Sequence, residues 1–161
     1  MRKGKQMRRM LGVLAGALAV AALAAPAQAD NGHFVTGAAA CRDTGAGFEC
    51  TGEVAGLGGT TFEVTAEATG TARVECVNPA GHMVTGQDTE VDVTATSGRQ
   101  QTQHHGRSAF RLTSTPVGVG PVPACPNPIW TAKVLDVTFG TATLTLSANG
   151  ATAAEITVDV R

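Results

Sequence analysis

From Phe48 onward the chain alternates apolar and polar residues at every second position, and this pattern constrains the fold more than any other feature. Successive side chains of a strand point to opposite faces, so such alternation builds one face for a core and one for water. Phe48, Cys50 and Val54 share a face, with Gly52 and Gly56 in phase. Phe62, Val64, Ala66 and Ala68 alternate with Glu63, Thr65 and Glu67. Ala72, Val74 and Cys76 follow, then Val91, Val93 and Ala95, then Ser108, Phe110 and Leu112. Leu144, Leu146 and Ala148 alternate with threonines, and Ile156, Val158 and Val160 with Thr157 and Asp159. Each run describes a strand of an antiparallel sheet with one dry face.

Turn chemistry separates the runs at Gly58-Gly59, Pro79-Ala80-Gly81, Ser97-Gly98 and Asn149-Gly150. The segment 131–139 loses phase between Val134 and Leu135, which predicts a bulge or a crossing between sheets. After residue 30 the chain is rich in Thr, Val, Ala and Gly, with no Tyr and a single Trp, a composition that favours strands and turns. The expectation is an all-β domain over residues 30–161: a two-sheet antiparallel sandwich, immunoglobulin-like in architecture, with eight or nine strands. A closed barrel is the competing architecture.

Residues 1–29 read as a cleaved signal peptide with a helical apolar centre. Arg2, Lys3, Lys5, Arg8 and Arg9 lead into an apolar run from Leu11 to Ala25, and Ala27-Gln28-Ala29 forms a cleavage signature before Asp30. The run, about 15 residues, is short for a bilayer span, and no later stretch resembles it. The expected location is therefore secreted and extracellular, free or held at the cell wall, with no membrane anchor after cleavage. Arg8-Arg9 leaves general and twin-arginine export both open.

Cleavage changes the charge. Five of the twelve Lys and Arg precede residue 30 and none of the thirteen Asp and Glu do, so the mature chain carries seven cations against thirteen anions, a net −6 with neutral His. Such a domain repels phosphate backbones, which argues against a nucleic-acid partner.

The four cysteines, Cys41, Cys50, Cys76 and Cys125, all lie in the mature part. An even count in an exported domain reads as two disulfides, and three connectivities are possible. The turn-forming stretch Asp43-Thr44-Gly45-Ala46-Gly47 favours Cys41–Cys50, which leaves Cys76–Cys125. No C-x-x-C pair and no His at zinc spacing supports a metal site.

Other residues invite chemistry and are better explained without it. His104-His105 reads as the solvated tip of a hairpin between strands at 89–96 and 107–113, and adjacent strand residues face apart, which is poor geometry for chelation. Ser108, either histidine, and Asp88 or Asp92 compose a hydrolytic triad on paper, but no G-x-S-x-G elbow is present and Ser108 is in phase with the buried Phe110. The acids spread along wet strand faces rather than pairing as a glycosidase requires. Trp130 is expected in the core, packed on the Cys76–Cys125 bridge. Five prolines between residues 115 and 128 predict an extended loop. No catalytic, cofactor-binding or metal residue is assigned.

Cys76-Val77-Asn78-Pro79-Ala80-Gly81 and Cys125-Pro126-Asn127-Pro128-Ile129-Trp130 resemble segments of a group of small exported actinobacterial proteins. These pair a C-x-N-x-x-G turn with a C-P-N-P-x-W segment. The likeness covers roughly residues 76–146 and departs at Pro79-Ala80-Gly81-His82, where Gly-Gly-Asn is usual. It implies secretion and a disulfide-linked β domain, and it transfers no site. Composition and the Cys41–Cys50 spacing are also similar to enediyne-carrier apoproteins of the neocarzinostatin type. Cys125-Pro126-Asn127 resembles the reactive loop of Streptomyces-type subtilisin inhibitors, although Pro128 would then follow the scissile bond.

The expected function is that of a secreted, non-enzymatic module that binds a protein or cell-wall partner, without cofactor. One alternative is a small-ligand carrier with a cleft lined by Phe48, Phe62 and Phe110. The other is a protease inhibitor working through the 115–128 loop.

Overall fold

The computed structural model describes residues 31–103, 106–117 and 125–161. The leader, the His104-His105 pair and most of the proline-rich loop lie outside these residues.

Eleven strands form two antiparallel sheets, and among the described residues there is no helix. In chain order they are β1 (His33–Phe34), β2 (Ala40–Asp43), β3 (Phe48–Ala55), β4 (Thr61–Val77), β5 (Met83–Thr85) and β6 (Thr89–Thr96). Then come β7 (Gln100–Gln101), β8 (Ser108–Thr113), β9 (Thr131–Phe139), β10 (Thr141–Ala148) and β11 (Ala151–Asp159). The two-sheet sandwich expected from alternation is present. The strand total exceeds eight or nine because β1, β5 and β7 are two- or three-residue strands too short to show a period.

The small sheet is built on β3. Val54 pairs with both Phe34 and Ser108, and Cys50 with both Cys41 and Leu112. A strand has two edges, so β1 and β2 share one edge of β3 and β8 holds the other. The large sheet is built on β4 in the same way. Thr65 pairs with Thr96 of β6 and Thr145 of β10, and Cys76 with Val84 of β5 and Ala132 of β9. One edge of β4 therefore carries β5, β6 and β7 in succession, and the other carries β9 and β10. β11 lies outside β10, joined through a hairpin at Asn149-Gly150, both with positive φ (51° and 82°).

β4 merges the expected strands at 62–68 and 72–76 into one of seventeen residues, through Gly70. Every even position from Phe62 to Cys76 is buried, so the phase never breaks. The phase break in 131–139 is a bulge: Arg73 pairs with Asp136 and Val74 with Val134, leaving Leu135 unpaired and exposed.

Five phenylalanines fill a core otherwise made of small residues, and two of them lie on glycine. Gly52 pairs with Phe110 across the small sheet, and Gly70 with Phe139 across the large one. A Cβ at Gly52 would come within 2.6 Å of the Phe110 ring, and one at Gly70 within 2.7 Å of Phe139. The missing side chain is thus the space the ring occupies. Phe139 also meets Phe48 edge-on at 5.4 Å, and Phe110 meets Phe34 at 5.9 Å.

Both disulfides pair as expected. Cys41–Cys50 joins β2 to β3 directly across the sheet, with Cα atoms 4.1 Å apart. Cys76–Cys125 ties the middle of the large sheet to the segment that leads into β9. Neither is a sheet-to-sheet bridge of the immunoglobulin kind.

Two expectations are corrected. Strands 89–96 and 107–113 do not form a hairpin: β6 pairs with β4 and β8 with β3, so residues 97–107 cross from one sheet to the other. Trp130 is half-buried and stands outside the core cluster. It sits where the large sheet outruns the small one, among the exposed Met83, Val84 and Ile129.

Candidate functional site

The two sheets are not separate on every side. β11 bonds to β10 along one edge, and its C-terminal end reaches β2 on the other. Cys41 and Val160 form a parallel bridge, Arg161 N–H donates to the Cys41 carbonyl at 3.2 Å, and Asp43 N–H donates to the Arg161 carbonyl at 2.9 Å. Toward the start of β11 this junction loosens. Between β1 and β2 the chain leaves β3 in a turn, closed by the Ala38 N–H on the Val35 carbonyl, with Gly37 at φ 72°. The turn and the β11 edge enclose a groove of about 560 Å³.

The groove has an apolar floor of Phe34, Ile156 and Val158, and a wall of small residues, Gly37, Ala39 and Ala40. Thr157, Asp159 and Arg161 stand at its mouth. Its size falls in the range of ligand pockets, and the polar groups gathered at one end suit a partner with an apolar body and a polar head. Nothing in the alternation announced it. A groove walled by glycine and alanine is made by side chains that are not there.

The residues singled out from sequence do not converge. Phe48, Phe62 and Phe110 are core residues at 0, 1 and 3% exposure, so the cleft expected among them is filled by their own packing. Ser108 is buried as its phase implied, and its hydroxyl accepts the Gln103 N–H at 2.8 Å. Asp92 lies on the outer face of the large sheet, accepting from the Thr69 hydroxyl at 2.7 Å, so serine and acid belong to different layers. Among the described residues no group of three His, Cys, Asp or Glu is placed to hold a metal ion. Asn127 sits in a turn, its carbonyl accepting from Trp130 N–H and its side chain from Ile129 N–H. That bend is unlike the extended loop an inhibitor presents.

Charge is unevenly laid out. On the outer face of the small sheet Glu49 accepts from Arg42 and Arg111 at 3.0 and 2.9 Å, linking three adjacent strands. Arg107 binds both oxygens of Glu53, at 2.7 and 2.9 Å. The hydrogen bond from Arg111 holds the Glu49 carboxyl below its ordinary range despite the desolvation that opposes it. Arg107 does the same for Glu53, and its own pKa is raised in return. The outer face of the large sheet is instead rich in threonine and acids, Glu67, Thr69, Asp92, Thr94, Thr141 and Thr143 among them.

Compared with protein-family models, with curated proteins and with solved structures, the chain matches none. Among the described residues no helix is long and apolar enough to cross a membrane.

Proposed function

We propose that the protein is an exported, non-enzymatic binding module that works outside the cytoplasm and takes its ligand in the groove between the β1–β2 turn and β11. The groove itself carries this reading: about 560 Å³ with an apolar floor and a polar mouth, opened where two sheet edges diverge. Export is supported by the leader pattern at residues 1–29 and by two disulfides in a small domain. A pocket without grouped titratable side chains favours retention of a partner over turnover of a substrate.

The ligand is a protein or cell-wall component whose apolar part enters the floor. The carrier reading uses the same groove with a small apolar molecule inside it. Native mass spectrometry of the protein recovered from culture supernatant separates the two by the mass retained. Ala40→Trp places an indole at the mouth, where Ala40 is exposed, and should abolish retention while leaving the fold intact. Unchanged retention by that variant refutes the groove as the site.

A further inference from the structure

The other flank of the sandwich has no junction like that of β2 and β11. Because β2 meets β11, the β1–β2 edge of the small sheet and the β11 edge of the large sheet lie on one side. β8 and β6 therefore lie together on the opposite side. Among the described residues β8 pairs only with β3, and β6 only with β4. Two strands of six and eight residues thus present open edges side by side. An open edge is a template for another strand, and a protein that persists in solution must block it or use it.

Hydrogen-bond parity shows what each edge offers. Ser97 N–H donates to Val64 of β4, so odd residues of β6 face β4 and the backbone groups of Glu90, Asp92, Thr94 and Thr96 face outward. Ser114 N–H donates to Phe48 of β3, so even residues of β8 face β3 and those of Ala109, Arg111 and Thr113 face outward. The side chains differ in sign. Glu90 and Asp92 are exposed on β6, and Arg111 is exposed on β8.

We propose that this flank binds a second copy of the chain, with β8 of each copy pairing antiparallel to β6 of the other. A twofold axis parallel to the strands exchanges front and back. The small sheet of one copy then continues into the large sheet of the second, twice over. β3 and β4 are joined at one end by residues 56–60 and run oppositely, so β6 and β8 do too, and the axis preserves that relation. One register aligns the outward groups along all of β8. Ala109 faces the second copy's Thr94, Arg111 its Asp92 and Thr113 its Glu90. That register sets a cation beside an acid and closes both edges at once. It is a self-complementary contact, as a twofold interface requires.

The test is sedimentation velocity of the mature protein over a range of concentrations. Wild type should self-associate to a dimer that weakens as salt rises. Thr94→Pro removes an outward N–H and no bond to β4, so it should weaken dimerisation by about tenfold or more, two bonds being lost per dimer. Thr94→Val keeps the N–H and should dimerise as wild type does. Ala109→Pro makes the same deletion on β8 and serves if Thr94→Pro alters the circular dichroism spectrum. In wild type, amide exchange at Thr94 and Arg111 should slow as concentration increases. A monomer at every soluble concentration overturns the proposal. So does a dimer indifferent to both prolines, or one whose Thr94 and Arg111 amides exchange at the monomer rate. None of these outcomes bears on the groove, which lies on the far flank.

Discussion

The two sheets share a core and are held in different ways. The large sheet hangs on β4, whose seventeen residues keep phase from end to end and pair with five other strands. The small sheet has an eight-residue centre, β3, with partners of two, four and six residues. Its short ladders are reinforced across the strands by Cys41–Cys50 and by the Arg42–Glu49–Arg111 contact. A long uninterrupted strand binds its neighbours through backbone alone, whereas a short one relies on side-chain cross-links. Both sheets use a phenylalanine over a glycine to fill space in a core poor in large residues.

That shared device is the place to break both at once. Phe139 touches Phe48 and covers Gly70, so Phe139→Ala removes the contact between the sheets as well as a large side chain. The expected loss is about 3–5 kcal/mol, measured by urea unfolding. Phe110→Ala should lie at the lower end of that range, because its aromatic partner Phe34 belongs to a two-residue edge strand. Equal or reversed losses would mean that the small sheet, not β4, organises the core.

The disulfides sharpen the contrast. Replacing both Cys76 and Cys125 by Ala opens a loop spanning 49 positions and should cost about 4 kcal/mol, against about 3 for Cys41 and Cys50, which span 9. If ladder reinforcement matters as much as chain entropy, the shorter bridge will cost more than this difference allows. Differential scanning calorimetry of the two double variants decides.

How much of this was legible beforehand follows from what alternation encodes. Period two states which face a residue occupies, and it placed Ser108, Phe110 and the whole inner row of β4 correctly. It even marked Leu135, since an extra residue must shift the phase. It does not state which strand lies alongside. The Ser97-Gly98 turn therefore read as one end of a hairpin, although the chain beyond it leaves for the other sheet. Trp130 was misjudged for a related reason. Proximity to Cys125 says nothing of how far the small sheet extends to cover it. The groove left no mark at all, because Gly37, Ala39 and Ala40 signal neither strand face nor chemistry.

Ser114 offers a smaller effect confined to the small sheet. Its buried hydroxyl accepts the Phe48 N–H at 2.8 Å, at the point where β3 begins. Ser114→Ala leaves that donor without this partner and should cost about 1–3 kcal/mol by chemical unfolding. An unchanged midpoint would show that solvent or backbone replaces the bond.

The smallest effect is expected from the ionic cross-link, and pH reveals its sign. Glu49 and Glu53 titrate below the ordinary 4.5 of a glutamate because arginines favour the charged form. A carboxyl whose folded pKa is depressed adds stability that is complete above its unfolded pKa and vanishes as pH falls through the folded value. Wild type should therefore lose stability from about pH 4.5 downward. Glu49→Gln should lose less over the same interval, because its amide cannot be protonated there. Glu49 joins three strands and Glu53 only two, so Glu53→Gln should flatten the acid limb less. Both pairs are exposed to solvent and salt, which keeps each contribution at about 1 kcal/mol or below near neutrality. Parallel acid limbs for wild type and Glu49→Gln would show that β2, β3 and β8 hold together without the arginine–glutamate contact, leaving Cys41–Cys50 as the reinforcement that matters.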